Sequence, residues 1–541
     1  MRMIRSAAAL LLCACSLAGE EAAVLRLSRE EPDYAFRLHP VFRVEGQRPF
    51  ALALRGGIAR GFTHLGVFQG LDDENLAADA IVGTSIGGLM GSLYASGFSA
   101  DGIAQLFSSR DFGRVFDDRL REPGWSLSED ETMHATPNSL RSLGGKPDLL
   151  PGKATSRHAR QALMPMLARA AWLADGDFDR LRVPFRAVAS DLTSGGGKAF
   201  AKGSLVDAVM ASLCMPGIFA PVEIEGHQYV DGGPFENLPV LTSRREFPGM
   251  LQVGVAIGRA WDGQSKNNLV SLLDASLDLA MAQTEERSLA AADLIIRPEV
   301  ASASDFDFHR QVASLSSLGR RAFDDRRPVL EDLIYGPKAR QRAAASLRLE
   351  ATGVPGAQAW FESVVAPGAA SFGDLYRALR KAHRELPVSD AFVRLPASPE
   401  GAAMLELVPA RTIGRFEIDL PGDWPASASG LLAEELRARY GLAPGLLFDE
   451  NAWSRALEEL LVEGVLNQVP ILDLRGSGFT PDGTLRLRLR EPRIERITTQ
   501  DPVLQADFDR LFADLKAGPV RTTTLAASVS RTTARLGLSR L

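Results

Sequence analysis

The sequence has few of the residues that build metal arrays or disulfide frameworks. Among its 541 residues are three cysteines and seven histidines. We find no group of them with the spacing of a metal site. We therefore expect no metal and no cofactor, and a fold that is stabilised by packing. Hydrophobic residues make up 45% of the chain and charged residues 24%, which is typical of a globular protein with buried cores.

The sequence also has no excess of basic charge and no long apolar run. The formal net charge is -6, so no basic field favours a nucleic-acid partner. After the N-terminus, no segment has about 18 uninterrupted apolar residues, the length that a membrane-spanning helix needs. We therefore expect no transmembrane helix.

The first 18 residues have the layout of a secretory signal. Arg2 and Arg5 precede an apolar run, 7–12, and small residues follow it. Two interpretations remain open. In one, residues 1–18 are a signal peptide that is cleaved after Ala18. In the other, the stretch that ends at Cys15 resembles a bacterial lipobox, although its Cys13 is atypical, and Cys15 becomes a lipid-anchored N-terminus. Either one predicts export, to the bacterial periplasm or outer membrane or out of the cell.

The next part of the chain changes pattern at residue 49. Residues 19–48 alternate charged and apolar side chains, which indicates an N-terminal extended segment with one or two edge strands. Residues 49–335 alternate short apolar strands with helical stretches, and this predicts a mainly parallel central sheet with helices on both faces. The predicted strands are 50–54, 80–82, 183–189, 251–257 and 294–296. Residues 112–180 have no clear period and are interpreted as a mobile insertion, a candidate lid.

The C-terminal third has a different organisation. Residues 336–408 are rich in Ala and Arg and broken by prolines, so we interpret them as a connector with some helix. The pattern of residues 409–495 predicts a small α+β domain with its elements in the order β-α-α-β-β. Residues 496–541 form a C-terminal tail without an informative pattern.

The first motif that carries chemistry is Gly83-Thr84-Ser85-Ile86-Gly87, which lies between a predicted strand and an apolar helix. A nucleophile elbow needs this context, because a sharp strand-to-helix turn exposes the serine hydroxyl. Glycines at both ends allow the backbones to approach closely. The alternative is a Gly/Ser turn without chemistry.

The second motif is the glycine-rich loop Gly56-Gly57-Ile58-Ala59-Arg60-Gly61, which follows a predicted strand. Backbone N–H groups of such turns bind an oxyanion or a phosphate. The spacing is not G-x-G-x-x-G, which argues against a dinucleotide site. Arg60 either steadies the loop or contacts a lipid phosphate. A tight turn with a surface arginine is the alternative.

The third motif is Tyr229-Val230-Asp231-Gly232-Gly233. An aspartate at a strand end can take a proton directly from a serine hydroxyl if desolvation raises its basicity. Taken alone, the motif is more typical of an Asp-Gly hairpin turn.

In this order, the three motifs resemble those of the patatin-like phospholipases, especially the bacterial secreted branch. Three further segments fit the same pattern: Ala189–Gly195, Ala211–Phe219 and Glu236–Val240. The resemblance covers about residues 50–300. It implies a three-layer patatin-like α/β fold, a Ser85–Asp231 dyad, and an oxyanion hole lined by the N–H groups of Gly56 and Gly57. It also implies a phospholipid or other lipid ester as substrate, at a membrane surface.

One residue departs from the family pattern. The family usually has a third consecutive glycine in the loop, and this chain has Ile58 there. A β-branched residue resists positive φ. We therefore expect a reshaped loop, with reduced activity or altered specificity.

The small C-terminal domain, 409–495, resembles a POTRA domain, mainly in 445–449 and 485–492. The resemblance implies a partner-binding or strand-augmenting role, with an envelope protein as the partner.

Two other hypotheses stay open. A conventional α/β-hydrolase needs a histidine after the acid, and His309 and His383 are available, although both are more typical of surface residues. A non-catalytic envelope-binding protein with the same fold is favoured by Ile58. We interpret His64 as a packing or surface histidine, Cys214 as a small buried hydrophobe, and Asp191 as a structural turn residue.

Overall fold

A computed structural model describes residues 23–108, 140–143, 146–149, 152–154, 156–257, 281–282, 284–300, 308–422, 427–466 and 473–491. The predicted signal peptide, the lipobox at Cys15, the tail and much of the candidate lid lie outside these residues. Within them, no helix is both long and apolar enough to cross a bilayer.

The strands fall into three groups along the chain. The lead-in strands are β1 Val24–Leu25, β2 Ser28–Glu30 and β3 Val41–Arg43. The central group is β4 Phe50–Leu54, β5 Ala80–Thr84, β6 Leu140–Leu143, β7 Lys146–Leu149, β8 Gly152–Ala154, β9 Phe185–Asp191, β10 Gly196–Phe200, β11 Gly217–Phe219, β12 Val222–Ile224, β13 His227–Asp231, β14 Leu251–Val255 and β15 Leu294–Ile296. The last group is β16 Arg342–Ala344, β17 Ser346–Glu350, β18 Ala370–Ser371, β19 Val388–Arg394, β20 Ala402–Pro409, β21 Arg415–Asp419, β22 Gly478–Phe479 and β23 Thr484–Arg488.

The helices of the described residues follow the same division. The central group is α1 Thr63–Asp73, α2 Ile86–Ala95, α3 Ala100–Ser108, α4 Ser156–Ala174, α5 Leu205–Leu213, α6 Gly233–Glu236, α7 Val240–Glu246 and α8 Phe308–Tyr335. The last group is α9 Ala357–Val364, α10 Phe372–Glu385, α11 Ala428–Tyr440 and α12 Glu450–Leu466. Short 3-10 helices span Ile58–Phe62, Phe178–Arg180 and Pro337–Arg340.

The central sheet has the order β12-β13-β9-β5-β4-β14-β15, and β10 also pairs with β9. Strands β9, β5, β4, β14 and β15 run parallel, whereas β10, β13 and β12 add an antiparallel end. The predicted α/β fold with a mainly parallel sheet is confirmed.

Strand β4 shows why the sheet is covered on both faces. Phe50, Leu52 and Leu54 belong to the large core beneath one face, whereas Ala51 and Ala53 pack into smaller clusters on the other. Helix α7 contacts β4, β5 and β14, and its Val240 joins Ala53. Since both faces are buried, the strand is a continuous apolar run, and three layers result.

Residues 336–408 differ from the predicted connector. They form a compact unit in which β17, α9, α10, β19 and β20 follow one another, with the sheet order β19-β20-β17. This unit has its own core, which includes Leu375, Leu379, Val393 and Leu405. The prolines that suggested a connector lie in the turns between its elements; they are Pro355, Pro367, Pro387 and Pro396.

The predicted β-α-α-β-β order of the C-terminal unit is present as β21, α11, α12, β22 and β23. Its sheet order is β21-β23-β22, with β21 parallel and β22 antiparallel to β23. The preceding unit has the same arrangement, since β17 is parallel and β19 antiparallel to β20. Two consecutive units therefore share one topology. The resemblance of the second unit to a POTRA domain stays a prediction.

A buried ion pair joins the first of these units to the central domain. Arg380 of α10 is 1% exposed and donates to Glu331 of α8 over 2.8 Å and to the carbonyl oxygen of Glu74 over 2.8 Å. Removal of one partner from such a contact leaves an uncompensated buried charge, which is strongly destabilising. The contact therefore fixes α10 against the central domain.

Candidate active site

Ser85 lies in a strained turn between β5 and α2. Its φ is 54° and its ψ is -125°, and only 7% of the residue is exposed. A non-glycine residue in such a region costs about 1–3 kcal/mol and persists only where its surroundings hold it. A Cβ on Gly87 would lie 2.4 Å from the carbonyl oxygen of Leu54, so only glycine fits there. The backbone at Ser85 therefore has the sharp, strained strand-to-helix turn that a nucleophile elbow requires.

Three buried hydrogen bonds hold this turn. The Ser85 N–H donates to Ser212 Oγ over 2.8 Å, and the Ser212 hydroxyl donates to the carbonyl oxygen of Val188 over 2.6 Å. The Thr84 hydroxyl donates to the carbonyl oxygen of Glu236 over 2.7 Å. The turn is thus fixed by residues far away in the sequence.

Asp231 lies at the end of β13, at the same edge of the sheet as Ser85. Strand β9 separates them: Val188 pairs with Thr84 on one side, and Ala189 pairs with Asp231 on the other. Because the residue after Thr84 is Ser85, the sheet brings the two predicted dyad residues together.

The Asp231 carboxyl is buried and only partly satisfied. Its Oδ1 accepts a hydrogen bond from Gly233 N over 2.8 Å, whereas Oδ2 has no well-formed hydrogen bond within the described part of the chain. Burial raises the pKa of Asp231 to about 6, and the nearby Ser85 hydroxyl and the Gly233 N–H limit that rise. An unpartnered oxygen with raised basicity is suited to accept a proton.

The glycine-rich loop packs directly against the elbow. A Cβ on Gly56 would lie 3.1 Å from Ser85 Cβ and 2.5 Å from Asn237 Oδ1. The predicted role of Gly56 as an oxyanion donor does not fit its contacts, because its N–H donates to the carbonyl oxygen of Asn237 over 3.1 Å. Among the described residues, the N–H groups of Gly57 and Ile58 donate to no protein acceptor. These two N–H groups are therefore available to an oxyanion.

Ile58 adopts the conformation that its side chain disfavours. Its φ is 48°, in the left-handed region that suits glycine. The loop therefore keeps a positive φ at the position where the family usually has glycine.

The base of the loop is held by polar contacts. Arg55 forms two hydrogen bonds of 2.8 Å with the Glu285 carboxylate, and its Nη1 donates to the carbonyl oxygen of Gly56 over 2.9 Å. His64 Nε2 lies 2.9 Å from the carbonyl oxygen of Arg55, and burial lowers the pKa of His64 to about 4, so the neutral ring donates this bond at neutral pH. Arg60 Nε donates to the carbonyl oxygen of Gly57 over 3.4 Å, which fits its predicted role of steadying the loop.

The region that contains the three motifs is similar to a known protein family. Residues 52–243 match the sequence model of the family described as Patatin-like phospholipase. Residues 52–243 are similar to that family, and we call them the patatin-like domain. All three motifs fall within the match, which runs from β4 into α7.

Relatives match part of this chain and part of their own length. An "Uncharacterized NTE family protein" of Mycobacterium bovis is 28% identical over 190 residues, which are 35% of this chain and 44% of the relative. The human "Patatin-like phospholipase domain-containing protein 6" is 29% identical over 204 residues, 37% of this chain and 13% of the relative. The chain thus spans less than half the length of these relatives. Among solved structures, VipD from Legionella pneumophila is 15% identical with a TM-score of 0.26, covering 57% of this chain and 72% of that one.

The other singled-out residues of the patatin-like domain have structural contacts. Asp191 accepts hydrogen bonds from Thr193 N, from Ser194 and from His227 Nδ1. Burial raises its pKa, but the hydrogen bonds from Ser194, His227 and Thr193 outweigh burial and lower it to about 2. It is therefore a turn residue that stays ionised. Cys214 is buried, its thiol donates to the carbonyl oxygen of Ala220, and burial raises its pKa to about 12.

The histidines of the alternative hypothesis lie elsewhere. His383 belongs to α10, outside the patatin-like domain, where it stacks on Phe42 with ring centroids 4.1 Å apart and burial lowers its pKa to about 3. His309 lies in the first turn of α8. Among the histidines whose side chains are described, none hydrogen-bonds to Ser85 or Asp231.

Sequence reasoning missed the residues that shape the site from a distance. Ser212 and Asn237 lie in segments that resemble the family, yet no role was predicted for them. His64 was interpreted as a packing or surface residue, and its bond to Arg55 shows that it also supports the loop. Their positions inside motif segments were the available signal, but the partners are too far away in the sequence for a local pattern to show them.

Proposed function

We propose that this chain is a serine-dependent lipid acyl hydrolase of the phospholipase A or lysophospholipase type. Ser85 is the nucleophile, and Asp231 is its base. The single observation that supports this most is the juxtaposition of a strained serine with a buried, partly unsatisfied carboxyl whose pKa is raised to about 6. Carboxylates of that pKa are ionised at neutral pH and remain basic enough to accept a proton.

The proposed reaction proceeds through an acyl-enzyme. Asp231 takes the proton from Ser85 Oγ while Oγ attacks the ester carbonyl carbon, and the carbonyl oxygen becomes an oxyanion. The N–H groups of Gly57 and Ile58 stabilise that charge, a contribution of about 3–4 kcal/mol per donor in other serine hydrolases. The C–O bond to the leaving group then breaks, and Asp231 returns the proton to the departing alcohol or lysophospholipid.

The second half regenerates the serine. Asp231 takes a proton from water, whose oxygen attacks the acyl carbon. The fatty acid leaves as Ser85 Oγ recovers the proton, so one carboxyl serves as the base in both halves. None of these steps requires a metal or a cofactor.

The proposed setting is the bacterial cell envelope. The signal-like N-terminus supports export, to the periplasm or outer membrane or out of the cell, with Cys15 as one candidate anchor. The substrate is a phospholipid or another lipid ester at a membrane surface. The two β-α-α-β-β units support a POTRA-like role in binding an envelope protein.

Ile58 favours one alternative function. Its strained φ of 48° in the donor loop is compatible with a patatin-like fold that binds lipid without hydrolysing it. The presence of both Ser85 and Asp231, next to each other, favours the enzyme instead.

A labelling experiment on the whole protein separates the two. A fluorophosphonate probe should label wild type and the Ser92→Ala variant, which removes a different buried serine, and should not label Ser85→Ala. Phosphatidylcholine and lysophosphatidylcholine in detergent micelles should release free fatty acid, measured by mass spectrometry. Wild type that neither labels nor releases fatty acid would establish the binding protein.

A further inference from the structure

The end of helix α5 bridges the two reacting residues. Ser212 Oγ accepts a hydrogen bond from the backbone nitrogen of Ser85 over 2.8 Å. Two residues later, the carbonyl oxygen of Cys214 accepts one from the backbone nitrogen of Asp231 over 2.8 Å. One short segment thus contacts the main chain of both the nucleophile and the base.

Strand β9 holds the same two residues from the other side. The Ser212 hydroxyl donates to the carbonyl oxygen of Val188 over 2.6 Å. The Ser190 hydroxyl donates to the carbonyl oxygen of Asp231 over 2.8 Å and accepts from Phe235 N. Because β9 lies between β5 and β13, these bonds connect the elbow to the strand end that carries the base.

Ser212 is the central member of this network. It is fully buried, and its hydroxyl is both acceptor and donor, so its direction is fixed. The strained φ and ψ of Ser85 need a surrounding that holds them. The Ser85 N–H has Ser212 Oγ as its acceptor, and loss of that oxygen would leave a buried donor unsatisfied.

We propose that Ser212 is a positioning residue that sets the distance and direction of the Ser85 hydroxyl relative to Asp231. The inference rests on the proposed function, because it assigns a role within the same dyad. Ser212 does not react and acts through the main chain of Ser85.

Two effects are expected when the Ser212 hydroxyl is removed. The kcat should fall by about 10²-fold, since a misplacement of about 1 Å costs that much, and KM should change less than about twofold. The acid limb of the pH profile should move to higher pH, because the nearby Ser85 hydroxyl lowers the Asp231 pKa and a looser contact removes that effect.

The charged and titratable groups around Asp231 should not shift its pKa differently in the variants and in wild type. Among the described residues, the Cys214 thiol is a titratable group that interacts with Asp231, and burial raises its pKa to about 12, so it stays neutral over the range tested. Arg160 of α4 lies near this thiol and pairs with Asp207 of α5. None of the variants Ser212→Ala, Ser212→Cys and Ser92→Ala changes the charge of Cys214, Arg160 or Asp207.

The test compares three variants of the full chain with wild type. Ser212→Ala removes the hydroxyl, and Ser212→Cys keeps a weak donor and acceptor of similar shape. Ser92→Ala is the matched control: Ser92 is also fully buried in the patatin-like domain, and its hydroxyl donates to the carbonyl oxygen of Leu89 over 2.8 Å. Thermal unfolding of each variant gives the folded fraction at the assay temperature.

Release of fatty acid from lysophosphatidylcholine micelles is then measured from pH 4 to pH 8. A lower kcat for Ser212→Ala with a shifted acid limb, an intermediate value for Ser212→Cys and an unchanged profile for Ser92→Ala support the proposal. If Ser212→Ala does not fold, the acid limb of the Ser212→Cys pH profile is compared with that of wild type instead. If kcat falls only in proportion to the folded fraction and the acid limb of the pH profile does not move, the positioning role is wrong. The proposed function is then unaffected. Wild type that is inert and unlabelled overturns both.

Discussion

The Glu458 side chain accepts a hydrogen bond of 2.5 Å from the backbone nitrogen of Ser99. Glu458 lies on α12 of the C-terminal unit, whereas Ser99 immediately precedes α3 of the patatin-like domain. The carboxyl therefore satisfies a free N–H at a helix start from a distant part of the chain. Burial raises the pKa of Glu458 to about 7, which nearby Asp72 also favours and the hydrogen bonds from Ser99 oppose.

This contact predicts a pH-dependent stability. The partly buried Glu458 carboxyl, whose pKa in the folded state is about 7, holds its proton to a higher pH than in the unfolded chain, so the free energy of unfolding should fall as the pH rises from about 5 to about 8. Glu458→Gln keeps an acceptor for Ser99 N without the charge. At pH 8 it should be more stable than wild type by up to about 3 kcal/mol, and at pH 5 nearly equal. Urea unfolding at both pH values measures this. The exposed Glu463→Gln on the same helix is the control, and an identical pH trend in Glu458→Gln and wild type would contradict the prediction.

The catalytic pH dependence follows from Asp231. The base works only when ionised, and its pKa is raised to about 6, so kcat/KM should rise as the pH increases through about 6 and then level off. Initial rates of fatty-acid release between pH 4 and pH 8 measure this. A midpoint near 4, the value of an ordinary aspartate, would be incompatible with a buried base.

The ionised Asp231 carboxylate is needed for catalysis but should lower the free energy of unfolding. Because its folded pKa exceeds the ordinary value, ionisation destabilises the folded state at pH values above about 6. We expect Asp231→Asn to lose activity but to gain about 1–3 kcal/mol in unfolding free energy at pH 8. At pH 4 the gain should largely disappear. Equal effects of the substitution at both pH values would show that the carboxyl is not desolvated.

The strain at Ile58 predicts a reversal of the usual order of alanine and glycine. Both Ile58→Ala and Ile58→Gly remove the side chain, but only glycine adopts a φ of 48° without a steric cost. After the larger unfolded-state entropy of glycine is included, Ile58→Gly should be more stable than Ile58→Ala by about 0.5–1 kcal/mol. Ala59→Gly, at the next position with an ordinary φ, should instead be destabilising. A glycine variant no more stable than the alanine variant would mean that the loop does not hold its positive φ in solution.

Much of the central fold was predictable from local pattern. The strands 50–54 and 294–296 are apolar runs, and the structure has them at the same residues. Ser85 and Asp231 were placed in one site only by the resemblance of their motifs to a known family. The rule that parallel strands end at one edge does not apply to Asp231, because β13 runs antiparallel to β9.

The rest depended on contacts that no local pattern contains. The Gly56 N–H was predicted to face an oxyanion, but its acceptor is the carbonyl oxygen of Asn237, about 180 residues away. The unit at 336–408 was interpreted as a connector because its prolines were taken as breaks along a linker. In the folded chain they lie in the turns of a unit whose sheet pairs β20 with β17, two strands that are not consecutive.

The short strand β1 has a consequence for the order of folding. Val24 pairs with Arg394 and Leu25 with Val393, so this strand adds to a sheet encoded about 370 residues later. At synthesis rates of about 5–20 residues per second, that partner follows about 20–70 s afterwards. Until then, the N-terminal segment of a nascent chain has no native strand to join, and an unpaired strand can pair with another chain. Strand β1 can therefore reach its native place only after its partner β19 has been synthesised.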